Sequence, residues 1–259
     1  MHLQSLYPAI GLLVGLTIGL TGVGGGSLMT PILVFLFGIP VPIAVGTDLL
    51  FASITKMAGA AAHSARGHVD WKIVRALASG SLPASIVTIA VMGFLKAQGR
   101  PLDGLILPVL GISLVGTAAA ILLRRWISAS GPGRYVLTQE GSNRAVLLVG
   151  VVLGALVTLT SVGAGAIGVA ALLLLYPALG PATVVGTDLA HAIPLITLAG
   201  LGHLQLGNVD YRLLVGLLAG SVPGIYVGTM LSSRLPEVMM RRILVCVLLV
   251  MGIACVVGG

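Results

Sequence analysis

The sequence predicts an all-α polytopic membrane protein of two homologous halves, inverted with respect to one another, each with a glycine-rich broken or hairpin helix. Three observations carry this reading. The 259 residues are 57% hydrophobic and 8% charged, against about 25% charged in ordinary soluble domains, so the chain has too few charges to cover its own surface in water. Its apolar stretches, 6–37, 42–63, 72–95, 103–126, 144–176, 181–203, 212–231 and 239–257, each approach or exceed the ~20 residues that span a hydrocarbon core as a helix. Short motifs also return in the second half of the chain at a fixed spacing of 140 residues.

The elements follow in order. The stretch 6–37 is interrupted by Gly22, Val23, Gly24, Gly25, Gly26 and Ser27. An unbroken helix of 30 residues would be about 45 Å long, more than a bilayer core needs, so the segment is a tilted broken helix or a hairpin of two half-helices. The stretches 42–63, 72–95 and 103–126 complete a first repeat over residues 1–126. Residues 127–143 are polar and rich in Gly and Ser, the composition of a loop, and they fall at mid-chain. The second repeat, 144–259, opens on the other long stretch, interrupted at Ser161, Val162, Gly163, Ala164 and Gly165.

The repeat is explicit. Gly46-Thr47-Asp48-Leu49 returns as Gly186-Thr187-Asp188-Leu189, His63 as His203, Val69-Asp70-Trp71 as Val209-Asp210-Tyr211, and Gly80-Ser81-Leu82-Pro83 as Gly220-Ser221-Val222-Pro223. Thr21 aligns with Thr160 at a spacing of 139. Internal repeats of this kind are a mark of secondary transporters. The basic residues choose between parallel and inverted halves. If each long stretch is a hairpin, ten of them (Arg66, Lys72, Arg75, Arg124, Arg125, Arg134, Arg144, Arg234, Arg241 and Arg242) share one side, against Lys96, Arg100 and Arg212. If each crosses once, the split is eight against five. Positive charge concentrates on the cytoplasmic side, which favours inversion.

The formal charge of +7 belongs to these connections. Basic residues are scattered and aromatics make up only 4%, so no basic stripe with stacking residues exists for nucleic acid. Cys246 and Cys255 are nine residues apart on one stretch, about 13 Å along a helix and too far for a disulfide within it. The N-terminus has no basic n-region and no A-x-A-like site, so the first stretch is expected to be retained.

Irregular glycine-rich backbone at membrane depth occurs only where protein buries it or a cavity needs it. Glycine also serves close helix packing, but four glycines between 22 and 26, echoed in the other half, exceed that need. A new helix is expected near Ser27 and another near Ala166. Their unpaired N–H groups and positive dipole ends suit an anion. The candidate substrate residues are therefore Thr21, Gly22, Gly24, Gly25, Gly26 and Ser27, with Thr160, Ser161, Gly163 and Gly165. Asp48 and Asp188 follow Gly-Thr near helix starts, where they either cap the helix or carry a proton inside the bundle. Lys56 and His191 lie deep in apolar runs and break the symmetry, facing Ile196 and Phe51 in the repeat. Lys56 offers charge to an anion or snorkels to the interface. His191 is a proton-coupling residue or a buried, satisfied histidine.

His63, His68, His203, Asp70 and Asp210 fit no usual metal-ligand spacing, and no catalytic constellation, Walker motif or dinucleotide fingerprint is present. No cofactor, metal or enzymatic activity is expected.

At GLTGVGGGSLMTPIL, GTDLLFASITK and HSARGHVDW, with their degenerate copies at 160–170, 186–191 and 203–211, the chain resembles the sulfite exporter TauE/SafE family of membrane permeases. The resemblance runs from about residue 8 to 257. It implies a multi-pass protein of the inner membrane that moves small sulfur-containing or organic anions, such as sulfite, thiosulfate or a sulfonate, by ion-coupled secondary transport. The expected partners are the small anion, membrane lipid and a second copy in a homo-oligomer, with no nucleic acid. The rival functions are a passive anion channel and a non-transporting assembly partner of a membrane complex. The second cluster departs from the first, with Ala164 and Ala166 where Gly25 and Ser27 stand.

Overall fold

The structure is a computed structural model that describes residues 6–21, 26–129, 139–232 and 237–257. The described residues form ten α-helices and no strand: α1 Tyr7–Thr21, α2 Gly26–Phe35, α3 Val41–Ala65, α4 Trp71–Ala97, α5 Asp103–Ala129, α6 Gln139–Thr160, α7 Ala166–Leu175, α8 Pro181–Gln205, α9 Tyr211–Ser232 and α10 Glu237–Val257. Among them, Trp71–Ala97, Asp103–Leu123, Pro181–Gln205 and Tyr211–Gly228 are long and apolar enough to cross a membrane. The second long stretch is broken at its glycine cluster, α6 ending at Thr160 and α7 beginning at Ala166; in the first, α1 reaches Thr21 and α2 starts at Gly26, on either side of residues outside the description. Of the expected polar connection 127–143, residues 127–129 belong to the end of α5 and 139–143 to the start of α6.

Local chemistry sets the helix ends. Pro at the first turn opens α3 and α8, where a missing N–H costs nothing. The Asp70 carboxylate accepts from the amides of Lys72 and Ile73 at the start of α4. Asp210 does the same for Arg212 and Leu213 in α9. Gly67 and Gly207 follow α3 and α8 with φ of 71° each, a left-handed conformation that ends a helix without a Cβ clash.

Two helix pairs bring backbones together through glycine. α1 packs along α9, where a Cβ on Gly11 would meet the Leu217 carbonyl and one on Gly15 that of Ser221. α6 packs along α4 in the same way, with Gly154 against the Ser81 carbonyl and Gly80 against that of Leu147. Residue numbers rise together across both interfaces, so each pair is parallel. α8 runs parallel to α4, with Ser81 beside His191 and Gly93 beside Leu206. It runs antiparallel to α3, since Gly46 meets His203, Leu50 meets Gly200 and His63 meets Gly186. α9 starts beside the first turns of α3, where the Asp210 amide donates to Thr47 Oγ1 at 3.1 Å. The equivalent bond ties Asp70 to Thr187 at 2.9 Å. α5 and α10 form an antiparallel pair through Gly111 and Gly252.

The central core joins α3 and α8, with Val45, Leu49 and Ala52 against Ala192, Leu195, Ile196 and Ala199. The outer surface is apolar instead: Ile86, Val87, Val91 and Phe94 on α4 and Val222 and Tyr226 on α9 are exposed, as lipid-facing helices require.

Candidate functional site

The polar groups of the interior collect around the second helix break. α6 ends at Thr160 and α7 begins at Ala166. Between them the backbone turns through left-handed conformations, with φ of 60° at Ser161, 116° at Gly163 and 126° at Gly165. Such a conformation costs a non-glycine residue about 1–3 kcal/mol, which Ser161 bears because the surrounding structure fixes it. Thr160 Oγ1 stabilises the turn, donating to Leu156 O at 2.7 Å and accepting from the Val162 amide at 3.1 Å. Its hydroxyl is thus engaged with the break itself. Gly163 and Gly165 carbonyls take the Gly168 and Val169 amides, so among the described residues the N–H groups left over at the start of α7 are those of Ala166 and Ile167.

Lys56 reaches this break from α3. It is buried, and its Nζ donates to the Ala164 carbonyl at 3.0 Å. Snorkelling is thereby replaced by a contact 108 residues away in sequence. The Lys56 charge acts on Asp188 and, less strongly, on Asp48, so one cation is shared by two carboxylates within the bundle.

Neither carboxylate is a cap. Helix α3 opens after Pro40 and α8 after Gly180, which places Asp48 and Asp188 two turns inside their helices, both buried. Asp48 Oδ2 accepts from Thr30 Oγ1 at 2.7 Å. Ser161 also acts on Asp48, but short of hydrogen-bond geometry, so Ser161 Oγ and Asp48 Oδ1 have no partner among the described residues. Asp188 differs. The repeat position of Thr30 is Val169, with no hydroxyl to give, and Asp188 Oδ1 is likewise without a hydrogen bond. It packs instead against the bare Cα of Gly168.

His191 lies one turn beyond Asp188 on α8, buried, with Nε2 2.8 Å from Ser81 Oγ. His203 is fully buried, its Nε2 2.9 Å from the Thr158 carbonyl. Gly22, Gly24 and Gly25 lie outside the described residues. Thr21 closes α1 and Gly26 and Ser27 open α2, but the side chains of Thr21 and Ser27 are also outside the description. No group of three or more metal-ligating side chains occurs among the described residues. Both cysteines are free.

Thr30, Ser81, Ser85 and Thr158 were not singled out from the sequence. Ser81 had a signal, since it sits in the repeated Gly-Ser-x-Pro motif; the others are single hydroxyls in apolar runs.

Two substitutions probe the carboxylates separately. A Cβ on Gly168 would meet Asp188 Oδ1 head-on, and its three nearest atoms all belong to Asp188. Gly168→Ala is therefore expected to act through Asp188 alone: its effect on the protein's activity should match that of Asp188→Asn, with the purified protein monodisperse on gel filtration. Thr30→Val removes the hydrogen bond from Thr30 Oγ1 to Asp48 Oδ2. Thermal unfolding in detergent should show a loss of about 1–3 kcal/mol, recovered by Thr30→Ser.

Comparison with known proteins gives a consistent picture. The model of a family described as "Sulfite exporter TauE/SafE" matches residues 7–255. The "Probable membrane transporter protein YjnA" of Bacillus subtilis (strain 168) is 39% identical over 246 residues, covering 94% of this chain and 96% of that protein. The "Probable membrane transporter protein YdhB" of the same organism is 29% identical over 88% of this chain and 90% of its own length. The "Probable membrane transporter protein MJ0441" of Methanocaldococcus jannaschii is 28% identical over 97% of this chain and 94% of its own. No solved structure matches.

Proposed function

Because the chain belongs to the sulfite exporter TauE/SafE family, we propose that it is a secondary transporter for a small sulfur-containing or organic anion, such as sulfite, thiosulfate or a sulfonate. The anion crosses the inner membrane together with a proton carried by Asp48 or Asp188. One observation carries this reading: a buried lysine is held on the carbonyl of a broken helix, with two buried carboxylates sharing its charge.

An anion entering beside the break meets the Ala166 and Ile167 N–H groups, the Ser161 hydroxyl and the Lys56 ammonium. These suit an oxyanion, since helix N-termini and ammonium groups both favour negative charge. The cost of bringing a bare anion to membrane depth is offset by protonating one aspartate, which keeps the net charge of the site constant. Asp48 and Asp188 thus serve as alternative proton carriers around one cation.

Helix directions support inverted halves. α1, α3 and α9 run one way and α4, α6 and α8 the other, so α1 and its repeat partner α6 are opposed. Rocking of one half on the other would then expose the site to each side in turn.

The test is reconstitution into liposomes, with uptake of labelled sulfite, thiosulfate and sulfoacetate measured with and without a pH gradient. Gradient-driven accumulation of one of them supports the carrier. Flux that only equilibrates points to a passive channel. No flux from folded protein would discard the anion assignment.

A further inference from the structure

We propose that the Ser161 hydroxyl links the anion to the coupling proton: it turns between Asp48 and the anion, so that the site takes up both or neither. This rests on the reading of the chain as a proton-coupled carrier, and it gives the two aspartates different work. Asp48 loads and releases the proton, while Asp188 stays as a fixed countercharge to Lys56.

Two buried oxygens are left over at the helix break. Ser161 Oγ and Asp48 Oδ1 have no hydrogen-bond partner among the described residues. Both residues are buried, and an unsatisfied polar atom there costs about 1–3 kcal/mol. Packing places them together: Leu49 and Ala52, just beyond Asp48 on α3, share a core cluster with Val157 and Ala164, on either side of Ser161. Ser161 acts on Asp48 without closing a bond to it. The same break holds Lys56 through the Ala164 carbonyl and leads into the Ala166 and Ile167 N–H groups at the start of α7.

A serine hydroxyl has one hydrogen to give, lone pairs that accept, and freedom to rotate. With Asp48 ionised, the hydrogen turns to Oδ1 and the serine oxygen presents only lone pairs to an anion. With Asp48 protonated, the direction reverses. Oδ2 already accepts from Thr30 Oγ1 at 2.7 Å, so the proton takes Oδ1 and donates to Ser161 Oγ, which frees the serine hydrogen for the anion. Both leftover atoms are then satisfied, in a run from Asp48 through Ser161 to the anion. Proton and anion therefore bind better together than apart, and each favours the other equally. The one bond made and broken is the Asp48 O–H. Its proton comes from water on the side to which the site is open and returns to water on the other.

Asp188 lacks both hydroxyls, because Thr30 corresponds to Val169 in the repeat and Ser161 to Gly22. The charged groups that act on Asp48 and its surroundings are Lys56 on its own helix and, through that ammonium, Asp188 on α8. α8 also brings His203 beside Gly46, with its ring on the Thr158 carbonyl. α9 brings Asp210, which caps its own helix. α2 brings Thr30, and the buried polar groups of α5 are the hydroxyls of Ser113 and Thr117.

The experiment titrates full-length protein in detergent with labelled thiosulfate and sulfoacetate, which keep their own charge near neutrality. Wild type should bind about tenfold more tightly at about pH 6 than at about pH 8, a usual size for coupling between two sites. Ser161→Gly removes the hydroxyl, suits the left-handed backbone better than serine does, and copies the residue at position 22. It should still bind the anion on Lys56 and the α7 amides, with the pH dependence largely lost. Asp48→Asn, whose amide donates to Ser161 as the protonated acid does, should bind alike at both pH values, while Asp188→Asn keeps the dependence. In liposomes, Ser161→Gly should let the anion equilibrate without accumulating on a pH gradient, a change that a merely structural serine would not produce. Wild-type pH dependence in Ser161→Gly overturns the switch. So does a dependence that survives in Asp48→Asn and vanishes in Asp188→Asn, which would hand the proton to Asp188. Wild type binding equally at both pH values would sink the proton coupling, and wild type binding neither anion would sink the anion assignment. Both of those are read on wild type alone, apart from failure of the switch.

Discussion

Replacing Lys56 with alanine is expected to abolish coupled anion movement, lowering gradient-driven uptake at least about a hundredfold, or about 2.7 kcal/mol. The ammonium is the charged donor at the helix break, on the Ala164 carbonyl. It is also the countercharge for Asp188 and Asp48. Its loss leaves both carboxylates buried without that cation. Removing one partner of a buried ionic set costs roughly 3–5 kcal/mol, so thermal unfolding in detergent should fall as well. The two effects can be separated. Lys56→Ala/Asp188→Asn lowers the uncompensated charge and should recover most of the stability but none of the coupled transport. If the double variant transported, Lys56 would be a structural counterion and not part of the site.

Gly154→Val is expected to cost the fold itself. A Cβ there would overlap the Ser81 carbonyl and lie 2.8 Å from Ser81 Cα, all of it backbone on α4. Backbone cannot move aside as a side-chain tip can, so α4 and α6 must separate along their length. The loss should exceed about 4 kcal/mol, the range reached when core packing is overfilled at a site unable to relax. Gly15→Val repeats the test at the α1–α9 interface, against Ser221. Gly104→Ala is the control, since nothing lies within 4 Å of the added atom. Yield and gel-filtration profile read the outcome: both valine variants should aggregate and the control should not.

The sequence made the helix breaks legible because they depend on local composition. Glycine clusters cannot continue a helix at that density, and α7 does begin at Ala166 and α2 at Gly26. The duplication was legible too, as identical letters at constant spacing. The two aspartates were harder, because Gly-Thr-Asp reads equally well as a cap until the start of the helix is known. Pro42 and Pro181 show that each helix opens earlier than the aspartate, and a proline in the first turn was the clue available. The partners of the buried groups were out of reach. Lys56 finds Ala164, and His191 finds Ser81, across more than a hundred residues. Such contacts follow from which helices pair, and periodicity within one helix says nothing of that. The difference between Asp48 and Asp188 was present all along as Thr30 against Val169, a single hydroxyl whose meaning depends on what it touches.

The pairing of α1 with α9 has a consequence for biosynthesis. The two helices begin at Tyr7 and Tyr211, so 204 residues (211 minus 7) separate them along the chain. At roughly 5–20 residues per second of translation, α1 waits about 10–40 s for its partner. During that interval its glycine-lined seam faces lipid or the insertion machinery rather than protein. The first half therefore enters the bilayer unfinished, and premature termination anywhere before α9 should yield a fragment fit for quality-control proteolysis rather than a smaller working protein.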